Sequence, residues 1–590
     1  MPRVALPTFI VLLVCAATAG PARATLMPSG QQPFFGTTDR IRGFDPVQAS
    51  DVYTVAAISK VYEGLYEFEY LVRPYRVRPL LAESMPEISA DRLTYTIHVK
   101  KGVRFADDPC FPGGKGRELT AEDFIFSWKR LADTHNRSPR YFNFEGRIVG
   151  LDEFRDKSVQ QKVDYDKPIE GLRVLDRYTL QILLKAPYPQ LTYVLTQAET
   201  FAVPREATEF YGAEFLNHPV GTGPFIVADW RWRNYRIEYV RNPNYHGDTY
   251  PTQGEPGDRE RGLLVDAGKP LPLLDRVTEY VIADDSTAWL KFLAGDLAMS
   301  PISRDNFGAV VTQERELTPE LRARGIRLDV ALQMATFYVG FNMEDPVVGP
   351  NKKLRQALAC AVDLKKWVKF YNDRLLPAKG ILPPNVEGYD SNAPPAYAFD
   401  LERAKRLLTE AGYPDGRDPK TGRRLTLNFD LPQANDPQER QSTDLLAHFF
   451  DAIGIELKPS YNNWPEFLKK LERKQCQMYR LGWIVPYPDA INFFDLFYGP
   501  NESPGPNESN YKNPEFDKLF EIARVMDDAP ERTERFRQME AIVVRDCPFI
   551  FLSHPLSYRL MQPWFKNYKY HDCPYPNSKF YKVDPARMNH

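Results

Sequence analysis

The chain has 590 residues, 43% of them hydrophobic, enough to bury a large core divided among more than one domain. Its formal charge of -2 excludes the basic footprint of a nucleic-acid-binding protein. No stretch approaches the ~18 consecutive apolar residues of a membrane-spanning helix, so the mature chain is expected to be soluble.

At the N-terminus, Arg3, an apolar run over about 9–19 and Ala22-Arg23-Ala24 read as a secretory signal peptide over 1–24. Its removal takes two arginines and no acid, leaving about -4 on the mature chain. Cys15 follows Val14, whereas a lipidation cysteine normally follows a small residue, so no lipid anchor is expected. The remaining cysteines, Cys110, Cys360, Cys476, Cys547 and Cys573, are odd in number and cannot all pair; in an oxidising compartment one or two disulfides are expected, Cys547 with Cys573 the first candidate, with connectivity left open by the sequence and buried thiols as the alternative. The alternative grouping of Cys547, His554, His571 and Cys573 matches no usual zinc spacing, and neither metal nor other cofactor is expected.

In chain order, Gly43-Phe44-Asp45-Pro46 starts a turn and 53–66 reads as a helix ending near Gly64. An alternating strand follows over 93–99, then a basic turn, then a helix opened by Thr120 as N-cap with Asp123 three residues on. In Val220-Gly221-Thr222-Gly223-Pro224 the glycines are expected to permit a tight turn with positive φ. A hairpin is expected from 225–230 and 235–240, and Asn242-Pro243-Asn244-Tyr245 supplies turn chemistry after it. The polar, Gly- and Pro-rich segment 248–269 reads as an exposed loop insertion. Helices are expected over 354–363 and 400–408, the latter closed by Gly412 and stopped by Pro414. Helices alternating with strands argue for α/β lobes.

The string 217–247, the strand, basic turn and capped helix over 93–123, and Leu274-Asp275-Arg276-Val277 together resemble the family 5 extracellular solute-binding proteins, soluble receptors of ABC importers. The resemblance implies an α/β, class II periplasmic-binding-protein-like fold, with two lobes joined by a hinge and an extra third domain. Carried onto this chain, lobe I is discontinuous over 25–62, 204–333 and 557–590, the extra domain covers 63–203 and lobe II covers 334–556. It further implies a monomeric periplasmic receptor that passes its solute to permease subunits in the membrane. No His-Glu-x-x-His, Gly-x-Ser-x-Gly or Gly-x-x-x-x-Gly-Lys-Ser/Thr motif is present, so an enzyme is not expected.

The site implied by the resemblance centres on 479–493. Gly482, Trp483 and Ile484 match the family's Gly-Trp segment, whose backbone pairs with an extended peptide. Arg480 matches an arginine near the ligand carboxylate, with a structural ion pair as the alternative. Three residues after the tryptophan, where peptide receptors carry an amine-binding aspartate, this chain has Pro486; Asp489 either substitutes for it or caps the helix that begins near Ile491. Ser50, Asp51 and Val52 correspond to a loop edging the ligand, and Tyr141 and Tyr338 to lining positions, each tyrosine having ordinary core as the alternative. The expected solute is a peptide or peptide-like molecule; an opine, glycan, haem or metal chelate is the alternative within the family, and a secreted hydrolase the alternative outside it.

Overall fold

The hairpin in the middle of the expected family string forms as two strands, Phe225–Arg231 and Arg236–Arg241, paired antiparallel from Phe225 opposite Arg241. The computed structural model describes residues 34–37, 41–49, 51–231, 236–282, 284–432, 437–573 and 577–588. The expected signal peptide, Ser50 and Tyr235 lie outside these. Strand Arg276–Val281 extends the hairpin antiparallel, and Phe34–Thr37 joins it in parallel. A second sheet is built on Thr94–His98, where Tyr95 and Ile97 are buried and their neighbours only partly so, the alternation of a half-buried strand. The helix that follows, Ala121–Ala132, is capped by Asp123, whose Oδ2 accepts the Thr120 backbone N–H at 2.8 Å and its hydroxyl at 3.1 Å.

The largest sheet holds eight strands: β1 (Met299–Pro301), β2 (Arg327–Leu332), β3 (Ala335–Phe341), β4 (Leu375–Pro377), β5 (Thr426–Leu431), β6 (Glu456–Tyr461), β7 (Met478–Ile484) and β8 (Phe549–Met561). Their order is β1-β8-β3-β7-β5-β6, with β2 and β4 also on β8. One end of β8 pairs with β3 through Phe549–Ser553, and the other with β2 through Leu556–Met561. Phe549 and Phe551 pack with Tyr338 and Tyr479, Ile550 and Leu552 with Val339 and Leu358, and Tyr558 and Leu560 with Ile282 and Phe307. A single strand therefore contributes to separate hydrophobic cores and passes the expected boundary at 556–557 without interruption.

Several sequence expectations need correction. Neither Gly221 nor Gly223 adopts positive φ. They are glycines because the helix Val52–Val61 ends against them: a Cβ on Gly221 would lie 2.0 Å from the Val61 carbonyl oxygen, and the Gly223 N–H donates to that same oxygen at 2.8 Å. The close approach also ends this helix at Val61, short of the expected Gly64. The helix expected over 354–363 forms as Lys352–Ala361, capped by Asn351, and that over 400–408 as Leu401–Glu410, with Gly412 at φ +90 just beyond its end.

The 248–269 insertion is anchored rather than wholly exposed. Asp258 and Asp266 are buried and Tyr250 is fully so. Three lysines of the C-terminal segment reach acids of the insertion: Lys569 donates to Asp258 at 2.7 Å, Lys579 to Asp248 at 2.9 Å and Lys582 to Asp266 at 2.8 Å. Lys579 also donates to Glu67 at 2.8 Å, with both side chains fully buried. Charges removed from water in this way are tolerated only because each meets its counter-charge.

All five cysteines among the described residues are free, so the expected Cys547–Cys573 disulfide is not formed. Cys547 follows the helix Pro530–Asp546 at φ +55 and is buried with Val339 and Leu552, whereas Cys573 is buried with Phe68 and Tyr75. Among the described residues no helix is long and apolar enough to cross a membrane, and no cluster of His, Cys, Asp or Glu side chains is arranged to hold a metal ion.

A partly buried acid, Glu508, is expected to give this fold a pH dependence. Glu508 has an Oε2 atom that is buried without a hydrogen-bond partner, and burial pushes its carboxyl up to about 8 from an ordinary 4.5. Below the lower value the group is protonated in both states; between the two, the folded chain holds a proton that the unfolded chain has released. Its contribution therefore falls as pH rises through that window. Urea unfolding at pH 5 and pH 8 should show wild type losing more stability over the interval than Glu508→Gln; equal losses would mean that the carboxyl is not held protonated.

Candidate functional site

The geometry of β7 defines the site. One edge pairs along its whole length with β3, from Ala335 opposite Ile484 to Phe341 opposite Met478. The other edge meets β5 only at Met478 and Tyr479. Past that point, among the described residues, no strand covers it. The Val485 N–H donates to the Met334 carbonyl at 3.2 Å, so alternation along the strand turns the backbone groups of Arg480, Gly482 and Ile484 away from β3 and toward the open edge. Such an edge accepts an added extended backbone without reading its side chains. Gly482 is required here by crowding: a Cβ would lie 2.5 Å from the Phe337 ring.

Side chains along β7 divide between two faces. Trp483 is half-buried, packs against the core that holds Tyr487 and Phe493, and its indole N–H donates to the Asn492 carbonyl at 2.8 Å. Ile484, on the opposite face, is 67% exposed. Arg480 is buried, forms an ion pair with Glu439 of the helix Pro437–Asp451, and lies over the Trp367 ring at 5.7 Å. The structural ion pair is thus the arrangement present, on the face away from Trp483.

Asp489 is likewise engaged. Its carboxylate accepts from Arg532 Nη2 at 2.8 and 3.0 Å, from Gln190 Nε2 at 3.0 Å and from the Ile491 backbone N–H at 2.9 Å. Both Asp489 and Arg532 are almost wholly buried. Asp489 therefore neutralises a buried guanidinium and binds the first backbone N–H of the short helix Ile491–Phe494, whose N-cap position is Ala490, and Pro486 supplies no carboxylate in its place. An amine anchor from Asp489 would have to displace these partners.

The remaining expected residues are held by partners within the protein or exposed. Asp51 caps the helix Val52–Val61, accepting from Thr54 N–H at 2.9 Å and its hydroxyl at 2.8 Å, and Val52 is 60% exposed. Tyr141 is buried, donates to Asp152 at 2.6 Å and lies under the Arg155 guanidinium. Tyr338 is fully buried and stacks on Phe549 with ring centroids 3.9 Å apart. Both tyrosines are core side chains, not lining ones, because their strand or turn directs them inward.

Residues that the sequence reading missed bring the 63–203 segment onto the loop after β7. Tyr193 stacks on Tyr487 at 5.3 Å and on Phe68 at 5.9 Å. Gln190 reaches Asp489 across 299 residues of sequence, and Arg92 donates to the Val525 carbonyl at 3.2 Å. No local signal marks these residues, since each has its partner in a distant part of the chain.

Mixed α/β sheets spanned by one long strand, with an open edge beside the contacts between segments, define a two-lobe periplasmic-binding-protein fold. Residues 76–505 match the family described as bacterial extracellular solute-binding proteins, family 5 Middle, and the chain belongs to that family. It is 26% identical to heme-binding protein A of Haemophilus influenzae, covering 97% of each chain. It is 24% identical to the periplasmic oligopeptide-binding protein OppA of Escherichia coli, covering 90% of this chain and 88% of that one. Its fold is similar to that of the periplasmic binding protein DppA from Helicobacter pylori, solved in complex with peptide STSA, at a TM-score of 0.72, 22% identity and coverage of 94% and 98%.

The geometry of Asp489 predicts that Asp489→Asn lowers folding stability by about 3–5 kcal/mol, because buried Arg532 then keeps only the exposed Asp528 as counter-charge. Replacing both partners by apolar residues, Asp489→Leu with Arg532→Met, should recover most of the loss. Urea unfolding of the variants tests this; unchanged stability in the single variant would show that the pair is not a structural tie.

Proposed function

We propose that this chain is an exported, monomeric receptor that captures a peptide or peptide-like solute along the open edge of β7 and delivers it to the permease of an ABC importer. The observation that carries the reading is the edge of Arg480–Ile484 that no strand covers among the described residues, where Gly482 is held free of a Cβ and Trp483 presents a half-buried ring. Backbone pairing supplies affinity without sequence preference, as a receptor of varied peptides requires. The relatives named for oligopeptide binding and the fold neighbour solved with a peptide support it. In this reading the ligand contacts both lobes only when they close, and so shifts that equilibrium without being consumed. The proposed lobes are 25–62, 204–333 and 557–590 against 334–556, with 63–203 as the extra domain.

A second reading, a family receptor for a non-peptide solute, is favoured by the charges at the site: Arg480 is matched by Glu439, Asp489 by Arg532, and Pro486 adds none. The end-to-end likeness to a protein named for haem binding points the same way. Mass spectrometry of solute retained by gently purified protein distinguishes the two. Titration with one peptide in free and N-acetylated forms adds a sharper test. Similar affinities are expected, whereas a loss of about a hundredfold, ~2.7 kcal/mol, on acetylation would reveal an amine anchor.

Trp483→Ala should weaken solute binding by about tenfold or more while leaving the fold intact, because a ring at the open edge supplies contact area. Calorimetric titration beside thermal unfolding separates the effects. Normal binding by a destabilised variant would make Trp483 a core residue.

A further inference from the structure

Away from the open edge of β7, the insertion, the start of β2 and the segment after β8 line an open cavity of about 700 Å3. Four arginines line it, Arg261, Arg315, Arg322 and Arg327, against two acids, Glu316 and Asp329. Both acids are already committed: Asp329 accepts from Arg261 at 2.8 Å, and Glu316 pairs with Arg322 at 2.8 Å. Among the described residues, Arg315 and Arg327 have no carboxylate within ion-pair distance.

The two uncommitted arginines differ in setting. Arg327 is only partly exposed; its guanidinium donates to the Phe565 carbonyl, while its Nε is buried with no hydrogen-bond partner. Asp329 acts on it electrostatically but is committed to Arg261 and makes no ion pair with it, so this desolvated guanidinium beside a cavity is an incomplete arrangement. Arg315 is exposed at the tip of a tight turn, where the Arg315 N–H donates to the Thr312 carbonyl at 3.0 Å and the Thr312 N–H to the Glu316 carbonyl at 2.8 Å. Its φ of +64 is a conformation that disfavours any residue but glycine, so the turn holds an arginine at a cost in backbone energy. Leu263, Ile326, Leu328 and Tyr568 give the same cavity apolar walls. The ion pairs of Lys569 with Asp258 and Lys582 with Asp266 hold the insertion that supplies Arg261 and Leu263.

We propose that this cavity is a second ligand site, which takes a small oxyanion, a carboxylate or a phosphate carried on a compact apolar body, between Arg315 and Arg327. The guanidinium fork suits either headgroup, since both offer paired oxygens. The site is built on β2 and the insertion, not on β7, so its occupancy is separate from capture of the transported solute.

The test is isothermal titration of the full mature chain with inorganic phosphate and, separately, with citrate, at constant ionic strength maintained with chloride. Saturable binding of at least one probe is expected, weakened about tenfold or more in Arg315→Gln. The tighter of the two probes identifies the headgroup. Peptide titration of the same variant should be unchanged, which locates the loss at this cavity. Arg315 is exposed, so this variant keeps the test decisive even if Arg327→Gln fails to fold. Absence of saturable binding by either probe, or binding that Arg315→Gln retains in full, would overturn the assignment.

Discussion

The constraint on which the rest of the structure depends is the continuity of β8. Thirteen residues, Phe549–Met561, form one strand, about 40 Å long at ~3.3 Å per residue, that pairs with β3 at one end and β2 at the other. Its register determines where both neighbours lie, because a one-residue slip would turn Ile550 and Leu552 out of one core and Phe549 and Phe551 out of another. β3 in turn sets the register of β7. The open edge at Arg480–Ile484 is thus placed by a strand that never touches it.

Buried ion pairs tie distant segments to this frame. Lys579 with Glu67 and Asp248, and Asp489 with Arg532 and Gln190, join parts of the chain that are hundreds of residues apart or meet only in the fold. Such pairs add little net stability over an apolar packing of equal volume, but they strongly penalise any arrangement that separates the partners. Their effect is to specify one docking of the insertion, the C-terminal segment and the loop after β7. The aromatic stack Phe68, Tyr193, Tyr487 acts at the same junction by apolar contact.

The charges beside the open edge of β7 are met within the protein. The charged side chains expected to meet a ligand's termini, Arg480 and Asp489, have counter-charges within the protein, and Pro486 has neither charge nor backbone N–H. What faces outward is a row of backbone donors and acceptors with a half-buried indole beside it.

Local signals determined much of the architecture by themselves. Thr120 with Asp123, Asp400 with Gly412, the alternation around Tyr95 and Ile97, and the hairpin after Pro224 each act within a few residues, where short-range hydrogen bonding and side-chain periodicity decide the outcome. The family string and the Gly-Trp segment were legible for the same reason, and they pointed to the fold. Only the tertiary structure decided what each residue does there. Gly221 and Gly223 are needed for the approach of Val61, Tyr141 and Tyr338 are core, Arg480 faces Glu439, and Asp489 belongs to Arg532. It also turned an apparently loose insertion into an anchored one and kept Cys547 and Cys573 in separate cores. Those outcomes depend on partners tens to hundreds of residues away, and which distant group supplies a counter-charge or closes a core is set by chain packing, which no local pattern encodes.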